Sequence, residues 1–302
     1  MRYVKSGRYL TVIVRNSRAV NAVLLLYMEF SRLVCEFMPS LFLEKFNGYD
    51  PAWISCLFLL FLVGLAIGSF LNVCIYRLPR NQSVFMPPSH CPVCLARIEP
   101  WDLVPVVSWF LLHGRCRSCG AVISPRYLII ELLTAGVFIW SFLVYGFTPM
   151  LIKALVFASF LVVIIFIDID YQLILDKVLL WLAGAGFLLN LWTDQVGIVT
   201  MLLTGLCAGG LFLLIAILTR GGMGGGDIKF AAVVGIWLGA KLTVVALFLA
   251  FILGGVGGIL VLALKLKNRK DYIPFGPFIA LGAWVSFLYG LDILVWYFSR
   301  AV

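Results

Sequence analysis

Two short cysteine pairs are the first residues in this chain that could do chemistry. Cys91 and Cys94 form one CxxC pair, and Cys116 and Cys119 form a second pair after twenty-one intervening residues. Four thiolates at this spacing suit a tetrahedral Zn²⁺ ion. With every ligand position taken by sulfur, the metal would be structural. Disulfides or free thiols are the alternative, although a cytoplasmic location keeps thiols reduced.

Carboxylates at the ends of apolar runs form the second candidate group. Asp168 closes a long apolar run, and an ionisable residue placed there is costly enough to be a functional candidate by default. Asp227 ends a glycine-rich turn, where glycines permit close backbone approaches. A simple helix N-cap is the alternative for Asp227. Asp170 and Asp176 are interpreted as solvated loop or helix-start residues.

Membrane helices must position these residues. Apolar residues make up 63% of the 302 positions, well above the share of about half in soluble domains. We therefore predict an all-α, polytopic transmembrane helix bundle of about eight spans, with a small cytoplasmic zinc-knuckle insertion. One stretch, 228–240, is short enough to be a half-span or to be continued by its neighbour. The predicted spans cover about 53–76, 127–147, 150–168, 177–194, 197–219, 228–240, 242–265 and 276–298.

The distribution of basic residues predicts the orientation. Eight crossings place thirteen of the 16 Lys and Arg residues after position 50 on one side, which the positive-inside rule assigns to the cytoplasm. The net charge of +9 is thus topological, and we expect no nucleic-acid partner. Basic residues within 1–50 would fall on the other side, so this extension is interpreted as an amphipathic surface segment or as partly disordered.

The same topology brings Asp168 and Asp227 to one membrane boundary. Two neighbouring carboxyl groups do not both ionise readily, so one would hold a proton while the other activates water for attack on a peptide carbonyl. Two alternatives use the same residues differently. An ion-coupled transporter would carry ions on buried carboxylates, and an inactive scaffold would need only the zinc.

The order of the motifs resembles one enzyme family, the bacterial type IV prepilin peptidases or prepilin leader peptidase/N-methyltransferases. Their GxGD motif is the signature of intramembrane aspartyl proteases. The chain departs from the family at Leu175, where members commonly have proline before the aspartate that ends the first motif. The matching segments are Gly68-Ser-Phe-Leu-Asn-Val73, Arg77-Leu-Pro79, the two CxxC pairs, Asp168-Ile-Asp170, Gly224-Gly-Gly-Asp227 and Pro274-Phe-Gly-Pro277.

This resemblance implies a function and a site. Asp168 and Asp227 would be the catalytic pair, cleaving prepilins or type II secretion pseudopilins after a glycine. N-methylation of the new terminus with S-adenosylmethionine would follow, with Glu131 and Asn72 as candidates for the methyl-transfer site. The enzyme would lie in the bacterial inner membrane, with its active site toward the cytoplasm.

The expected domain division follows from the same motifs. Residues 1–50 form an extension of unknown role, 51–76 the first span, 77–126 a cytoplasmic loop domain that carries the four paired cysteines, and 127–302 the transmembrane aspartyl peptidase domain. The sequence carries no indication of an oligomeric state.

Overall fold

A computed structural model describes residues 51–220, 222–264 and 273–301. Within these ranges every regular element is a helix, and only isolated bridges occur in the cysteine loop, which confirms the all-α prediction. The predicted extension 1–50 and the basic segment 265–270 lie outside the described residues. The helices are α1 Pro51–Arg77, α2 Val107–Leu111, α3 Arg126–Tyr145, α4 Pro149–Tyr171, α5 Asp176–Thr193, α6 Ile198–Leu218, α7 Gly225–Ala263 and α8 Gly276–Ala301.

Six of the described helices are long and apolar enough to cross a membrane: α1, α3, α4, α6, α7 and α8. The chain is therefore a multi-pass membrane protein, but the predicted count of about eight spans is not confirmed. The 18-residue helix α5 is not among the six. The predicted segments 228–240 and 242–265 both fall largely within α7, which counts as a single helix.

Helix α7 is interrupted at Gly239, whose φ of 69° and ψ of 174° are not helical. Glycine suits this position because it adopts a positive φ without steric cost. On the far side of the break, Ser286 of α8 donates a hydrogen bond to Leu242 O. Phe275, just before α8, lies against Gly254. The second half of α7 therefore runs antiparallel to α8.

The first half of α7 runs in the opposite direction. Its start lies near the start of α8, because Gly226 and Gly276 both approach the Ile174 side chain. Near its end, Trp237 stacks on Phe157, with ring centroids 4.6 Å apart, and Phe157 in turn contacts Phe287 well along α8. The chain therefore reverses direction at Gly239.

A buried polar cluster satisfies the carbonyl groups that this break leaves without helical partners. Asn190 Nδ2 donates to Ile236 O at 2.8 Å and to Trp237 O at 3.3 Å. Lys153 Nζ, on a side chain that is 2% exposed, donates to Asn190 Oδ1 at 2.5 Å. Irregular backbone at membrane depth is tolerated only where such partners exist. The cluster thus allows α7 to turn inside the bundle.

The helices α1 and α3 pack closely through small residues. A Cβ atom on Gly68 would lie 2.7 Å from Glu131 Cα, and one on Gly64 would lie 2.5 Å from Ala135 Cα. Only glycine fits at such distances. Gly68 is thus a helix-packing residue, and this contact fixes both ends of the cysteine loop.

We predict that Asn190→Leu destabilises the protein, by about 2–3 kcal/mol, because it leaves the Lys153 amino group buried without an acceptor. The matched control is the double variant Lys153→Met with Asn190→Leu, which removes the unsatisfied donor. Thermal unfolding in detergent, followed by tryptophan fluorescence, compares them. The double variant should melt above the single variant. Equal or lower melting of the double variant would show that the unpaired Lys153 amino group is not what destabilises the single variant.

Candidate active site

Asp168 lies in the last turn of α4 and is 3% exposed. Helix α4 is apolar from 154 to 167 except for Ser159, and it ends at Tyr171, followed by Gln172 in the left-handed conformation. The carboxylate atom Oδ2 accepts a hydrogen bond from the Gly276 backbone N–H at 3.0 Å. This bond ties the end of α4 to the first residue of α8.

Asp227 lies in the first turn of α7 and is 4% exposed. The helix begins at Gly225, so Asp227 follows the first helical residue instead of preceding the helix as an N-cap would. A Cβ atom on Gly226 would come within 2.9 Å of Ile174 Cβ. The glycine before Asp227 thus lets the helix start close to the α4–α5 loop.

The structure brings Asp168 and Asp227 to the same end of the bundle. Ile174 touches both Gly226, beside Asp227, and Gly276, which donates to Asp168. The residue before Asp227 and the residue bound to Asp168 thus pack against the same side chain. Two acids from separate helices therefore lie in one buried region. The Gly276 backbone N–H donates a hydrogen bond to one of them, Asp168.

Asp170 and Asp176 differ from each other in their surroundings. Asp170 forms a salt bridge with Arg126, so the interpretation of Asp170 as a solvated residue is wrong. Asp170 points from α4 to the start of α3, where Arg126 lies. The spacing of residues in the sequence could not reveal this pairing. Asp176 is exposed, begins α5 as expected, and pairs with Lys229 at 2.8 Å.

Glu131 and Asn72 both make hydrogen bonds within the chain. Glu131 Oε2 accepts from the Val106 backbone N–H at 2.8 Å, and Asn72 Nδ2 donates to Tyr127 O at 3.0 Å. Arg126, five residues before Glu131, is bound to Asp170. Glu131 therefore holds the cysteine loop against α3, and Asn72 links α1 to α3.

The four cysteines form a compact cluster between α1 and α3. Their sulfur atoms all lie within 4.8 Å of one another, and Cys91 Sγ is 3.8 Å from Cys119 Sγ. A tetrahedral Zn²⁺ ion with Zn–S bonds of about 2.3 Å holds its sulfur atoms about 3.8 Å apart. All four are free thiols in the structure. The cluster could therefore hold a metal ion, and its size fits zinc.

The two CxxC pairs adopt matching turns. In the first, Leu95 N–H donates to Cys91 O at 2.9 Å, and in the second, Gly120 N–H donates to Cys116 O at 2.9 Å. Both Leu95 and Gly120 have a positive φ, 61° and 71°. The repeated geometry turns each pair of sulfur atoms inward.

The thiols of the cluster do not ionise alike. A hydrogen bond from the Cys94 backbone is the main reason that the pKa of Cys91 is lowered to about 6. A backbone hydrogen bond from Ala121 favours the Cys119 thiolate, but loss of solvent and hydrogen bonds with the other three thiols raise the pKa of Cys119 to about 12. The four thiols together therefore lose their first proton at a lower pH than a free thiol and their last proton at a higher pH.

An ion pair braces the loop beside the cysteines. Arg117 Nε and Nη2 donate to the two carboxylate oxygens of Asp102 at 2.8 and 2.6 Å. This paired hydrogen bond with Arg117 lowers the pKa of Asp102. Bidentate geometry is the strongest form of such a contact. It joins the Pro100–Leu103 turn to the second cysteine pair.

Comparisons with known proteins place these residues in a family. Residues 155–259 match the family model described as "Type IV leader peptidase family". The chain belongs to the type IV leader peptidase family. Residues 62–145 match the "Bacterial Peptidase A24 N-terminal domain". The type IV leader peptidase match contains Asp168 and Asp227, and the N-terminal match contains all four cysteines of the cluster and Glu131.

Several relatives of this leader peptidase carry the name prepilin leader peptidase/N-methyltransferase. One from Bacillus subtilis is 37% identical over 250 residues, covering 81% of this chain and 98% of the relative. One from Aeromonas salmonicida is 34% identical and covers 86% and 99%. One from Pseudomonas aeruginosa is 33% identical and covers 86% and 98%. No solved structure matches the chain. The resemblance read from the motifs is thus confirmed.

We predict that the purified leader peptidase binds about one metal ion per chain, and that Cys91→Ser or Cys119→Ser lowers this content because each removes a thiolate ligand. Elemental mass spectrometry measures the metal. Cys207→Ser is the matched control, since Cys207 is an exposed thiol outside the cluster. Metal retained in both cluster variants, or lost equally from the Cys207 variant, would contradict the site.

Proposed function

We propose that this chain is a prepilin leader peptidase that uses Asp168 and Asp227 to activate water. The observation that carries the proposal is the placement of two buried acids from separate helices at one end of the bundle, where Gly226 beside Asp227 and Gly276 bound to Asp168 both pack against Ile174. Each is only 3–4% exposed, and buried acids in membrane segments are retained for function. Membership of the leader peptidase family supplies the reaction class.

The geometry supports an acid–base division of labour. One carboxylate accepts a proton from water as it attacks the scissile carbonyl, and the other, protonated, donates to the developing oxyanion or the leaving amine. The Gly276 N–H group keeps the Asp168 carboxylate in one orientation. Asp227 is oriented by the start of α7. Such positioning is what lets a general base act on a bound water.

The substrates we propose are prepilins or type II secretion pseudopilins, cut after a glycine that precedes a hydrophobic segment. The names of the relatives and the place of the acids support this choice. Asp168 lies in the last turn of one membrane helix and Asp227 in the first turn of another. A transporter would need carboxylates nearer the middle of the bilayer. Acids at helix ends are instead well placed to act on a peptide bond that lies at the membrane boundary.

N-methylation of the new terminus, with S-adenosylmethionine as methyl donor, is the second activity we propose. The names of the relatives support it. Glu131 and Asn72 were the candidates for this site, yet both side chains are occupied by hydrogen bonds to the Val106 and Tyr127 backbone. These contacts fit packing better than a donor site, so we assign no methyl-transfer step to either residue.

We further propose that the four-cysteine cluster holds a structural zinc ion. Its ligands would be Cys91, Cys94, Cys116 and Cys119, whose sulfur spacing fits a tetrahedral ion. A bound metal stabilises a small loop that lacks a core of its own. Zinc would then support the 77–126 loop domain between the first span, 51–76, and the peptidase domain that begins at 127.

The proposed location is the bacterial inner membrane, with the acids facing the cytoplasm. The cysteine loop, the α4–α5 loop and the start of α7 share one end of the bundle, where Lys177 contacts Asn81 and Lys229 contacts Asp176. Arg80 also lies over the Tyr76 ring at this end. Concentration of basic residues at one end marks the cytoplasmic side.

We predict that Asp168→Asn and Asp227→Asn each lower cleavage of a prepilin leader peptide by about 10²–10⁴-fold, because each removes one proton-transfer group. Folding should persist, since Asn preserves the side-chain size. Mass spectrometry of the product N-terminus reports the cleavage position and methylation together. Asp194→Asn is the control, because Asp194 is exposed and follows the last residue of α5, at the end of that 18-residue helix away from the α4–α5 loop. Full processing by either variant would remove the acids from the mechanism.

We predict that Gly276→Ala lowers kcat roughly 10- to 100-fold with little change in KM, because displacing a catalytic group by about 1 Å costs that much. A Cβ atom on Gly276 would lie 2.5 Å from Asp168 Oδ2. Gly210→Ala is the control, since nothing lies within 4 Å of its Cβ position. Steady-state cleavage kinetics compare the two. An unchanged kcat for Gly276→Ala would show that the Gly276 contact does not position Asp168.

A further inference from the structure

The short helix α2 in the cysteine loop exposes an apolar face. Val107, Phe110 and Leu111 are 51, 59 and 73% exposed. Their spacing of three and four residues puts them on one side of a helical turn. Trp109 faces the other way, since its indole N–H donates to Ile123 O at 3.3 Å and its ring lies against Gly114. The Phe110 ring meets the edge of Trp109, with centroids 5.4 Å apart, but all three outer side chains remain more than half exposed.

The Glu131 contact fixes the depth of this helix. Val106, the residue before α2, donates its N–H to Glu131 Oε2 at 2.8 Å. Glu131 lies five residues inside the membrane helix α3, which corresponds to about 7 Å along the helix axis. The beginning of α2 is therefore held at the level of the first turns of a membrane-crossing helix, where interfacial helices bury their apolar faces by about 5–10 Å.

The backbone at Val106 is strained to make this contact. Val106 has φ 63° and ψ −55°, and Val107 N–H donates to Pro105 O at 2.6 Å, which closes a tight γ-turn. A β-branched residue in this conformation costs about 1–3 kcal/mol, and such strain persists only where surrounding contacts impose it. The turn aims the Val106 N–H at Glu131 and starts α2 beside α3.

The charge of the loop fits an anionic surface. Residues 77–126 contain six arginines and no lysine, against one aspartate and one glutamate. Arg117 and Asp102 neutralise each other. The charges of Arg97 and Arg115 therefore contribute to a net positive potential around the loop. Juxtamembrane basic residues are attracted to anionic lipid headgroups. Trp101, which is 80% exposed, is a residue type that concentrates at this level of a bilayer.

We propose that α2 lies in the membrane interface and directs Val107, Phe110 and Leu111 into the acyl region of the leaflet nearest the cysteine loop. Helix α3, which holds the start of α2 through Glu131, also exposes Tyr127 and Leu132. The cysteine loop is then a domain anchored by two membrane helices and by an interfacial helix between them. Its position relative to the acidic pair is fixed by lipid as well as by protein.

The test uses the full chain in vesicles of phosphatidylethanolamine and phosphatidylglycerol. A photoreactive p-benzoylphenylalanine replaces Phe110 or, independently, Leu111, and mass spectrometry detects adducts after irradiation. The matched control carries the same probe at Val93, which is 70% exposed between two cysteines of the first pair. Because acyl chains reach only groups buried in the interface, we expect roughly ten-fold more lipid adducts at 110 and 111 than at 93.

Each other result would overturn the proposal. Equal lipid adducts at Val93 would show a general attraction of the loop to lipid, without a specific role for α2. Crosslinks between two copies of the chain at positions 110 and 111 would make the apolar face a protein interface. An absence of lipid adducts at both positions, in protein that elutes as a single species, would place α2 in water.

Discussion

Hydrocarbon offers no hydrogen-bonding partner, and this constraint shapes the whole bundle. A polar group inside it must find its partner within the chain or leave the membrane. Asn190 meets the carbonyl groups at the break in α7, Ser286 meets Leu242 O, and Thr243 meets Gly239 O at 2.7 Å. Because these groups are satisfied, the chain can reverse inside the bundle instead of crossing as one long helix.

The acidic pair also depends on finding hydrogen-bonding partners within the chain, in this case at the ends of helices. Where a helix ends, backbone groups become available, and Gly276 N–H is one that a carboxylate can use. The close approach of Gly226 and Gly276 to Ile174 draws three helix ends together. The proposed catalytic groups at this junction are held by the helix ends, yet they remain within reach of the boundary where the helices finish.

The sequence predicted what composition and motifs encode locally. Apolar runs marked the membrane helices, the CxxC spacing marked the sulfur cluster, and the positions of Asp168 and Asp227 after and before apolar runs placed them at one boundary. It could not predict contacts that depend on how helices rotate against each other. The Arg126–Asp170 bridge, the Lys153–Asn190 pair and the Glu131–Val106 bond join positions whose proximity arises only from packing.

The count of spans shows a different difficulty, because a hydropathy pattern treats 225–263 as one long apolar stretch or as two short ones. The reversal is decided by Gly239, a single residue with a positive φ, and by the side chains that satisfy its neighbours.

The reversal also makes the arm of α7 that carries Asp227 short. From Gly225 to Gly239 it rises about 21 Å, whereas the hydrocarbon core of a bilayer is about 30 Å thick. An arm of that length, begun at one membrane boundary, ends within the bilayer, where Asn190 satisfies the carbonyl groups of the break. Asp227 then lies at that boundary, in the first turn of the arm. A peptide bond could meet water there while the hydrophobic segment that follows it stays in the bilayer.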